Sequence, residues 1–268
     1  MKQRFITGII SSIIFVTIIL SNPLAIKILC AVVSFWTLLE IYTAIGIAKN
    51  WYLMGLGLCI SVGSSFGFLF GVPYLFPLLF AYILLLFLGG MTSKGKITLA
   101  DLSKSFFLTI YICFCFSAAV LVSDLPNGDI LIWFVFAGAW VTDSFAYLVG
   151  VSIGKHKIFP NISPKKTWEG AIGGIVGTSL ILLLVAYILT FFGYTMNYLL
   201  VALFAIISAV FAQMGDLAAS YIKRECGIKD FGSVLPGHGG IMDRADSILF
   251  VAPIAYIFLQ YLGSMLIQ

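Results

Sequence analysis

Apolar runs of about twenty residues follow one another along the chain, separated by short polar stretches. Each run is long enough to cross a hydrocarbon core of roughly 30 Å as a helix. The runs span residues 5–21, 24–45, 52–70, 74–90, 105–123, 129–152, 170–192, 197–219 and 243–264. The pattern predicts an all-α, polytopic integral membrane protein with about nine transmembrane helices. Because only Gly71-Val-Pro73 separates the third and fourth runs, these two could instead form a re-entrant pair.

The distribution of basic residues predicts the orientation, because Lys and Arg collect in cytoplasmic loops. With nine spans and the N-terminus inside, Lys27 is the one basic residue among 15 that falls in an outer loop. We therefore expect the N-terminus in the cytoplasm and the C-terminus outside. Both long charged loops then face the cytoplasm, where nucleotides are found.

The composition excludes an ordinary soluble domain. Of the 268 residues, 61% are hydrophobic and 10% are charged, and the mean hydropathy is +1.11. Topology accounts for the net charge of +4, so we expect no nucleic-acid partner. Four of the five cysteines lie in apolar runs and the sequence has no CxxC pair, which argues against a disulfide framework or a zinc site. We expect one continuous membrane domain, with a hydrophobic scaffold over 1–128 and a catalytic region over 129–268.

Residues 216–247 concentrate charge in a chain that otherwise has little. Charged groups in a membrane are costly and usually mark a substrate or ion path. Asp216, Ser220 and Lys223 share one helix face at i, i+4 and i+7. A basic, glycine-rich loop follows, and Asp243 and Asp246 then share a face of the next helix at i, i+3. Carboxylates suit Mg²⁺, which usually keeps phosphates among its other ligands, so the segment predicts metal-assisted phosphoryl or nucleotidyl transfer.

A second polar run precedes this segment. Asp143 lies inside the sixth span, where a buried Asp costs about 2.5–3.5 kcal/mol, so we expect a partner or an ion beside it. The basic run 163–170 follows, in which Pro164 allows a helix to start and Glu169 falls in its first turn. In the first half, Glu40 is interpreted as a snorkelling or paired carboxylate, with a role in the site as the alternative.

Glycines open the seventh span at helical spacing. Gly170 with Gly174, and Gly173 with Gly177, form two overlapping GxxxG pairs. Small residues at this spacing let membrane helices approach closely. The pattern predicts a tightly packed helix face.

The charged segment carries motifs at fixed spacing that resemble a known family. They are Ser220-Tyr-Ile-Lys223-Arg224, Lys229-Asp230, Leu235-Pro236-Gly237-His238-Gly239-Gly240 and Asp243-Arg244-Ala245-Asp246. Together they resemble the signature of the phosphatidate cytidylyltransferases, also called CDP-diacylglycerol synthases. Ala245 departs mildly, because the family tends to carry a larger apolar residue or Thr there. The resemblance is strong over 139–247, whereas the first half resembles the family only in its apolar spans.

The resemblance implies transfer of CMP from CTP to phosphatidate, with CDP-diacylglycerol and pyrophosphate as products, and it implies a homodimer. CTP, phosphatidate and the bilayer are the expected partners, and Mg²⁺ is the expected cofactor. We expect a bacterial plasma (inner) membrane protein whose active site faces the cytoplasm. Two alternatives remain from the residues themselves, a CTP-dependent kinase of a lipid alcohol and an ion-coupled transporter. The transporter is disfavoured because the charge lies in one half of the chain and on one face.

The expected site residues fall into three groups. The predicted Mg²⁺ ligands are the carboxylates Asp216 and Asp243, supported by Asp246 and Asp143. The predicted catalytic residues are Asp216, Asp243, Asp246, Lys223, Arg224 and His238. The predicted substrate-binding residues are Ser163, Lys165, Lys166, Thr167, Ser220, Lys229, Asp230, Gly239, Gly240 and Arg244. The basic side chains would hold phosphate groups, and His238 would contact a phosphate or move a proton near neutral pH.

Overall fold

Where the structure describes them, the apolar runs form helices, as the sequence predicts. A computed structural model describes residue 13 and residues 15–67, 74–232, 234 and 239–267. The helices are α1 (Pro23–Ala44), α2 (Trp51–Gly67), α3 (Leu75–Thr92), α4 (Leu99–Ser123), α5 (Gly128–Ile153), α6 (Trp168–Thr190), α7 (Tyr198–Glu225) and α8 (Met242–Leu266). Residues 15–21 are also helical, and a 3₁₀ turn, Ile47–Lys49, separates α1 from α2.

Within the described residues, seven helices are long and apolar enough to cross a membrane. They are α1 and α3 to α8, whereas α2 is apolar but has 17 residues. The chain is therefore a polytopic, largely helical integral membrane protein. The total of nine spans and the positions of the termini stay predictions. Most of the first predicted span and the linker between the third and fourth lie outside the described residues.

The backbone contacts divide the chain into two units. The first contains the chain up to Val120 together with Cys226–Arg244, and the second contains Leu121–Glu225 together with the chain from Ala245 onward. In the first unit, the buried hydroxyls of Tyr42 on α1 and Tyr82 on α3 bond to α4. Tyr42 lies 2.7 Å from the Ser105 hydroxyl, and Tyr82 donates to the Thr109 hydroxyl at 2.8 Å. These bonds satisfy polar groups that hydrocarbon could not.

In the second unit, the glycines of α6 pack against α5, which confirms the predicted close face. A Cβ at Gly170 would lie 2.7 Å from the carbonyl oxygen of Ala146, and one at Gly177 would overlap the ring of Phe145. Both GxxxG pairs therefore lie in the same contact, between α6 and α5. Because these glycines of α6 have no side chain, the backbones of the two helices can approach closely.

A short β-hairpin joins α5 to α6, in a region for which the sequence predicts a charged loop and the start of a helix. Strand β1 (Lys157–Phe159) pairs antiparallel with β2 (Ser163–Thr167), with Lys157 opposite Thr167. The expected helix start at Pro164 is wrong, because Pro164 lies in β2 and α6 begins at Trp168. Thr167 caps α6 by accepting a hydrogen bond from the N–H of Gly170 at 3.2 Å. Glu169 lies in the first turn, as predicted.

Candidate active site

Three carboxylates from three helices come together in the second unit. This acidic cluster consists of Asp143 on α5, Asp216 on α7 and Asp246 on α8, and Asp246 interacts electrostatically with the other two. Asp246 is buried, with 8% of its surface exposed. Like charges in a buried setting repel one another strongly, so the cluster favours a bound cation or basic groups.

Ser247 links two members of the acidic cluster. Its hydroxyl donates to Oδ2 of Asp143 at 2.7 Å, and its backbone N–H donates to Oδ1 of Asp246 at 2.8 Å. The sequence analysis missed this residue, because an uncharged side chain in an apolar run gives no signal of its own. Ser247 thus links α5 to the part of α8 that belongs to the second unit.

Two lysines supply positive charge to the acidic cluster. Nζ of Lys166, on β2, lies 2.8 Å from Oδ2 of Asp216 and donates to the carbonyl oxygen of Gln213 at 3.0 Å. Lys223, two helical turns after Asp216 on α7, interacts electrostatically with Asp246. Lys166, predicted to bind substrate, thus forms an ion pair with a predicted metal ligand in this structure.

A cavity of about 550 Å³ opens beside the acidic cluster. This is within the usual range of small-molecule sites, roughly 300–1,000 Å³. The hairpin contributes polar side chains to its wall, namely those of Lys157, Ser163, Lys165, Lys166 and Thr167. Asp143 and Asp216 line it from the helices, and Tyr147 and Val151 of α5 add an apolar side. The cavity therefore combines carboxylates, cationic groups and apolar surface.

The end of α7 is fastened to the hairpin. Nε of Arg224 donates to the carbonyl oxygen of Ile162, in the hairpin turn, at 3.2 Å. Within α7, the Ser220 hydroxyl donates to Oδ1 of Asp216 at 3.4 Å. At the other end of the hairpin, Glu169 accepts the backbone N–H groups of Lys155 and His156 at 3.1 and 3.2 Å. The ring Nδ1 of His156 lies 2.6 Å from the same carboxylate. The hairpin is thus held by α6 and α7.

The remaining predicted residues belong to the first unit, in the glycine-rich segment (residues 231–242) and beside it. Oδ2 of Asp243 accepts the backbone N–H groups of Phe231 and Gly240 at 3.0 and 3.1 Å, so one carboxylate oxygen bonds to both residues. Gly239 has a φ of +83°. The side chains of Lys229, Asp230 and Arg244 are exposed, and His238 lies outside the described residues.

Comparison with known proteins identifies the family. The sequence profile of the cytidylyltransferase family matches residues 2–262, nearly the whole chain. The chain belongs to the cytidylyltransferase family. It is therefore a nucleotidyltransferase as well as an integral membrane protein, and the resemblance carried by the motifs of α7 and α8 is confirmed.

Bacterial relatives agree with this assignment. The chain is 35% identical over 271 residues to phosphatidate cytidylyltransferase of Bacillus subtilis (strain 168), covering 97% of each chain. It is 33% identical over 265 residues to the protein of that name from Staphylococcus haemolyticus (strain JCSC1435), covering 97% of this chain and 99% of the relative. The corresponding protein of Rickettsia bellii (strain RML369-C) is 34% identical over 211 residues, covering 78% and 90%.

The acidic cluster of this cytidylyltransferase offers donor atoms of the type that a hard divalent cation prefers. Carboxylate oxygens from Asp143, Asp216 and Asp246 suit Mg²⁺, and their mutual repulsion would be relieved by it. Within the described part of the chain, no three His, Cys, Asp or Glu side chains already converge at ligand distance. Lys166 occupies one oxygen of Asp216 in this arrangement.

Proposed function

We propose that this cytidylyltransferase transfers CMP from CTP to phosphatidate, giving CDP-diacylglycerol and pyrophosphate for phospholipid biosynthesis. The observation that carries the proposal is the cavity of the second unit, which joins the acidic cluster to the lysines of the hairpin. The similarity to phosphatidate cytidylyltransferases over 97% of the chain supports the choice of substrates.

The reaction exchanges one bond at phosphorus for another. An oxygen of the phosphatidate phosphate attacks the α-phosphorus of CTP, and the bond from that phosphorus to the β-phosphate oxygen breaks, releasing pyrophosphate. A phosphate monoester has its second pKa near 6, so the attacking oxygen is already ionised at neutral pH. The protein therefore needs no strong base, and its contribution is alignment of the two substrates and neutralisation of their charge.

The chain's own residues can supply both contributions. Lys157 and Lys165 line the cavity and would bind phosphate oxygens, while Lys166 would exchange Asp216 for a phosphate when substrate enters. The apolar wall formed by Tyr147 and Val151 would accommodate the lipid end of phosphatidate beside its headgroup. Thr167 and Ser163 add hydroxyl groups that can donate to phosphate.

Magnesium completes the proposal as the cofactor. Asp143, Asp216 and Asp246 would hold it, and when bound it neutralises the negative charge of the triphosphate. Asp243, which the sequence also selects as a ligand, stays a prediction, and its Oδ2 accepts the backbone N–H groups of Phe231 and Gly240.

We also propose that the enzyme lies in the bacterial plasma membrane with its active site facing the cytoplasm. The concentration of Lys and Arg in alternate loops supports this orientation, as do the bacterial sources of the relatives. A homodimer is the proposed assembly, on the resemblance alone. Chemical crosslinking of the purified enzyme at increasing dilution tests it.

The function is tested by following each phosphorus of CTP. Vesicles that contain the enzyme and phosphatidate should incorporate label from the α-phosphate of CTP into lipid and release one pyrophosphate for each lipid formed. Incorporation of label from the γ-phosphate, with release of CDP, would instead establish the lipid-kinase alternative. Vesicles without phosphatidate are the control.

A further inference from the structure

Glu40 is a buried carboxylate in the first half of the chain that no step proposed above uses. It lies near the end of α1, with 5% of its surface exposed. Its two oxygens accept backbone hydrogen bonds from residues some two hundred positions away. Oε1 accepts the N–H of Ile241 at 3.0 Å, and Oε2 accepts the N–H of Met242 at 2.8 Å.

These bonds cap the helix that carries Asp243. Met242 begins α8, so its N–H has no acceptor within the helix. A cap usually comes from a polar residue just before the helix, but this position holds the apolar Ile241. Glu40 supplies the missing acceptor, and its negative charge is favourable at the positive end of the helix dipole.

The same carboxylate also contacts both ends of the glycine-rich segment. A Cβ at Gly232 would lie 2.5 Å from Oε1 of Glu40, and a Cβ at Gly240 would lie 2.5 Å from Oε2. Side chains at either position would displace the carboxylate from its hydrogen bonds. The two glycines therefore permit the close approach of Glu40.

Glu40 and Asp243 together hold the ends of the glycine-rich segment. Asp243 joins Phe231 to Gly240, and Glu40 contacts Gly232 and bonds to Ile241 and Met242. The backbone N–H groups of four residues are thus fixed by two neighbouring carboxylates. The sequence between these ends contains the Gly237-His238-Gly239 motif.

We propose that Glu40 is a positioning residue for the transfer reaction. It acts through the backbone, by fixing the start of α8 and the ends of the glycine-rich segment. The inference rests on the function proposed above, and it gives the first half of the chain a part in the reaction beyond a hydrophobic scaffold. A reacting group displaced by about 1 Å can cost about 10²-fold in rate, so loss of Glu40 should affect turnover.

The test compares Glu40→Gln with Asp101→Asn. Glu40→Gln keeps the size but presents an amide N–H₂ to one of the two backbone donors. Asp101 is the matched control, because it also caps a helix of the first unit, accepting the N–H of Thr98 at 2.9 Å at the start of α4. Purified proteins in identical vesicles should be compared for kcat and KM per folded molecule and for amide hydrogen exchange.

We expect Glu40→Gln to lower kcat by about 10²-fold with a much smaller change in KM for CTP. Exchange should accelerate in peptides covering 231–242 and stay unchanged in α5 and α6. Glu40→Asp, whose shorter side chain keeps the charge, should recover part of kcat. Asp101→Asn should keep its turnover per folded molecule.

Several results would overturn the inference. The first two are a wild-type kcat in Glu40→Gln and an equal loss of kcat in Asp101→Asn. The third is an unchanged rate of amide hydrogen exchange over 231–242. The fourth is recovery of the activity of Glu40→Gln by added Mg²⁺, which would make Glu40 a metal ligand. If the wild-type enzyme forms no lipid-linked CMP, the proposed function is contradicted instead. The comparison of hydrogen exchange would still decide whether Glu40 protects the backbone at the ends of the glycine-rich segment.

Discussion

The acidic cluster shows how single residues shape the site. The hydroxyl of Ser247, on α8, donates a hydrogen bond to Asp143, and Lys166, on β2, forms an ion pair with Asp216. Asp143 and Asp216 thus each have a named donor, and the buried Asp246 interacts electrostatically with both of these acids. A cation bound at the cluster would offset the repulsion between these carboxylates.

At the residue scale, Asp143→Asn tests the cluster. The change keeps the size but removes a charge, and loss of one electrostatic contact of this class typically costs about 10²–10³ in rate. The variant should still insert, because removing a charge from the membrane lowers the cost of insertion. Specific activity per folded molecule, measured against Mg²⁺ concentration, is the decisive quantity.

Asp129→Asn is the matched control, because Asp129 lies in the first turn of the same helix. It should retain wild-type activity. Full activity of Asp143→Asn at limiting Mg²⁺ would remove Asp143 from the proposed metal site.

Sequence alone selected most of these residues but not their contacts. Asp143, Asp216 and Asp246 were predictable because charge in an apolar run stands out and because the motifs resemble a family. The sequence did not predict the Lys166–Asp216 ion pair or the hydrogen bonds that Glu40 accepts from Ile241 and Met242. They join positions far apart in the chain, and only tertiary packing decides which distant groups meet.

At the scale of elements, hydrophobicity predicts the centres of helices better than their ends. The run 129–152 becomes Gly128–Ile153, and 243–264 becomes Met242–Leu266. The run 197–219 becomes Tyr198–Glu225, because α7 continues into polar sequence. The helix expected from 105 starts at Leu99, since Asp101 and Thr98 cap it reciprocally.

The β-hairpin could not be predicted in the same way. Its strands have three and five residues, and its polar side chains show no apolar alternation. Arg224 donates a hydrogen bond to the carbonyl oxygen of Ile162 in its turn, and Glu169 accepts the backbone N–H groups of Lys155 and His156 just before β1. These bonds hold the hairpin in place. Such a hairpin follows from the helices around it rather than from its own propensity.

The contact between α5 and α6 provides a prediction at this scale. Gly177→Ala should destabilise the enzyme, because the added Cβ would overlap the ring of Phe145 and overpacking typically costs about 1–3 kcal/mol. Gly55→Ala is the matched control, since a Cβ there meets no atom within 4 Å. Thermal unfolding in the same detergent should show a lower Tm for Gly177→Ala alone. Equal Tm values for the two variants would contradict the packing account.

At the scale of the whole molecule, the orientation in the membrane can be tested directly. In a cysteine-free background, Asn161→Cys in the hairpin turn should react with an impermeant thiol reagent only from the cytoplasmic side. Thr195→Cys, between α6 and α7, should react only from outside. The reason is that Lys and Arg favour the cytoplasmic loops. Labelling of Asn161→Cys from outside would refute the proposed orientation.

The central claim is that cytidylyl transfer takes place in the cavity beside the acidic cluster. The most direct measurement is the transfer of α-phosphate label from CTP to phosphatidate by Ala171→Trp and Ile172→Trp. Ala171 lines the cavity, whereas the neighbouring residue of the same helix, Ile172, does not line it and is 59% exposed. The account predicts that folded Ala171→Trp loses transfer because the indole fills the cavity, and that Ile172→Trp keeps it. Wild-type transfer by folded Ala171→Trp would contradict the account.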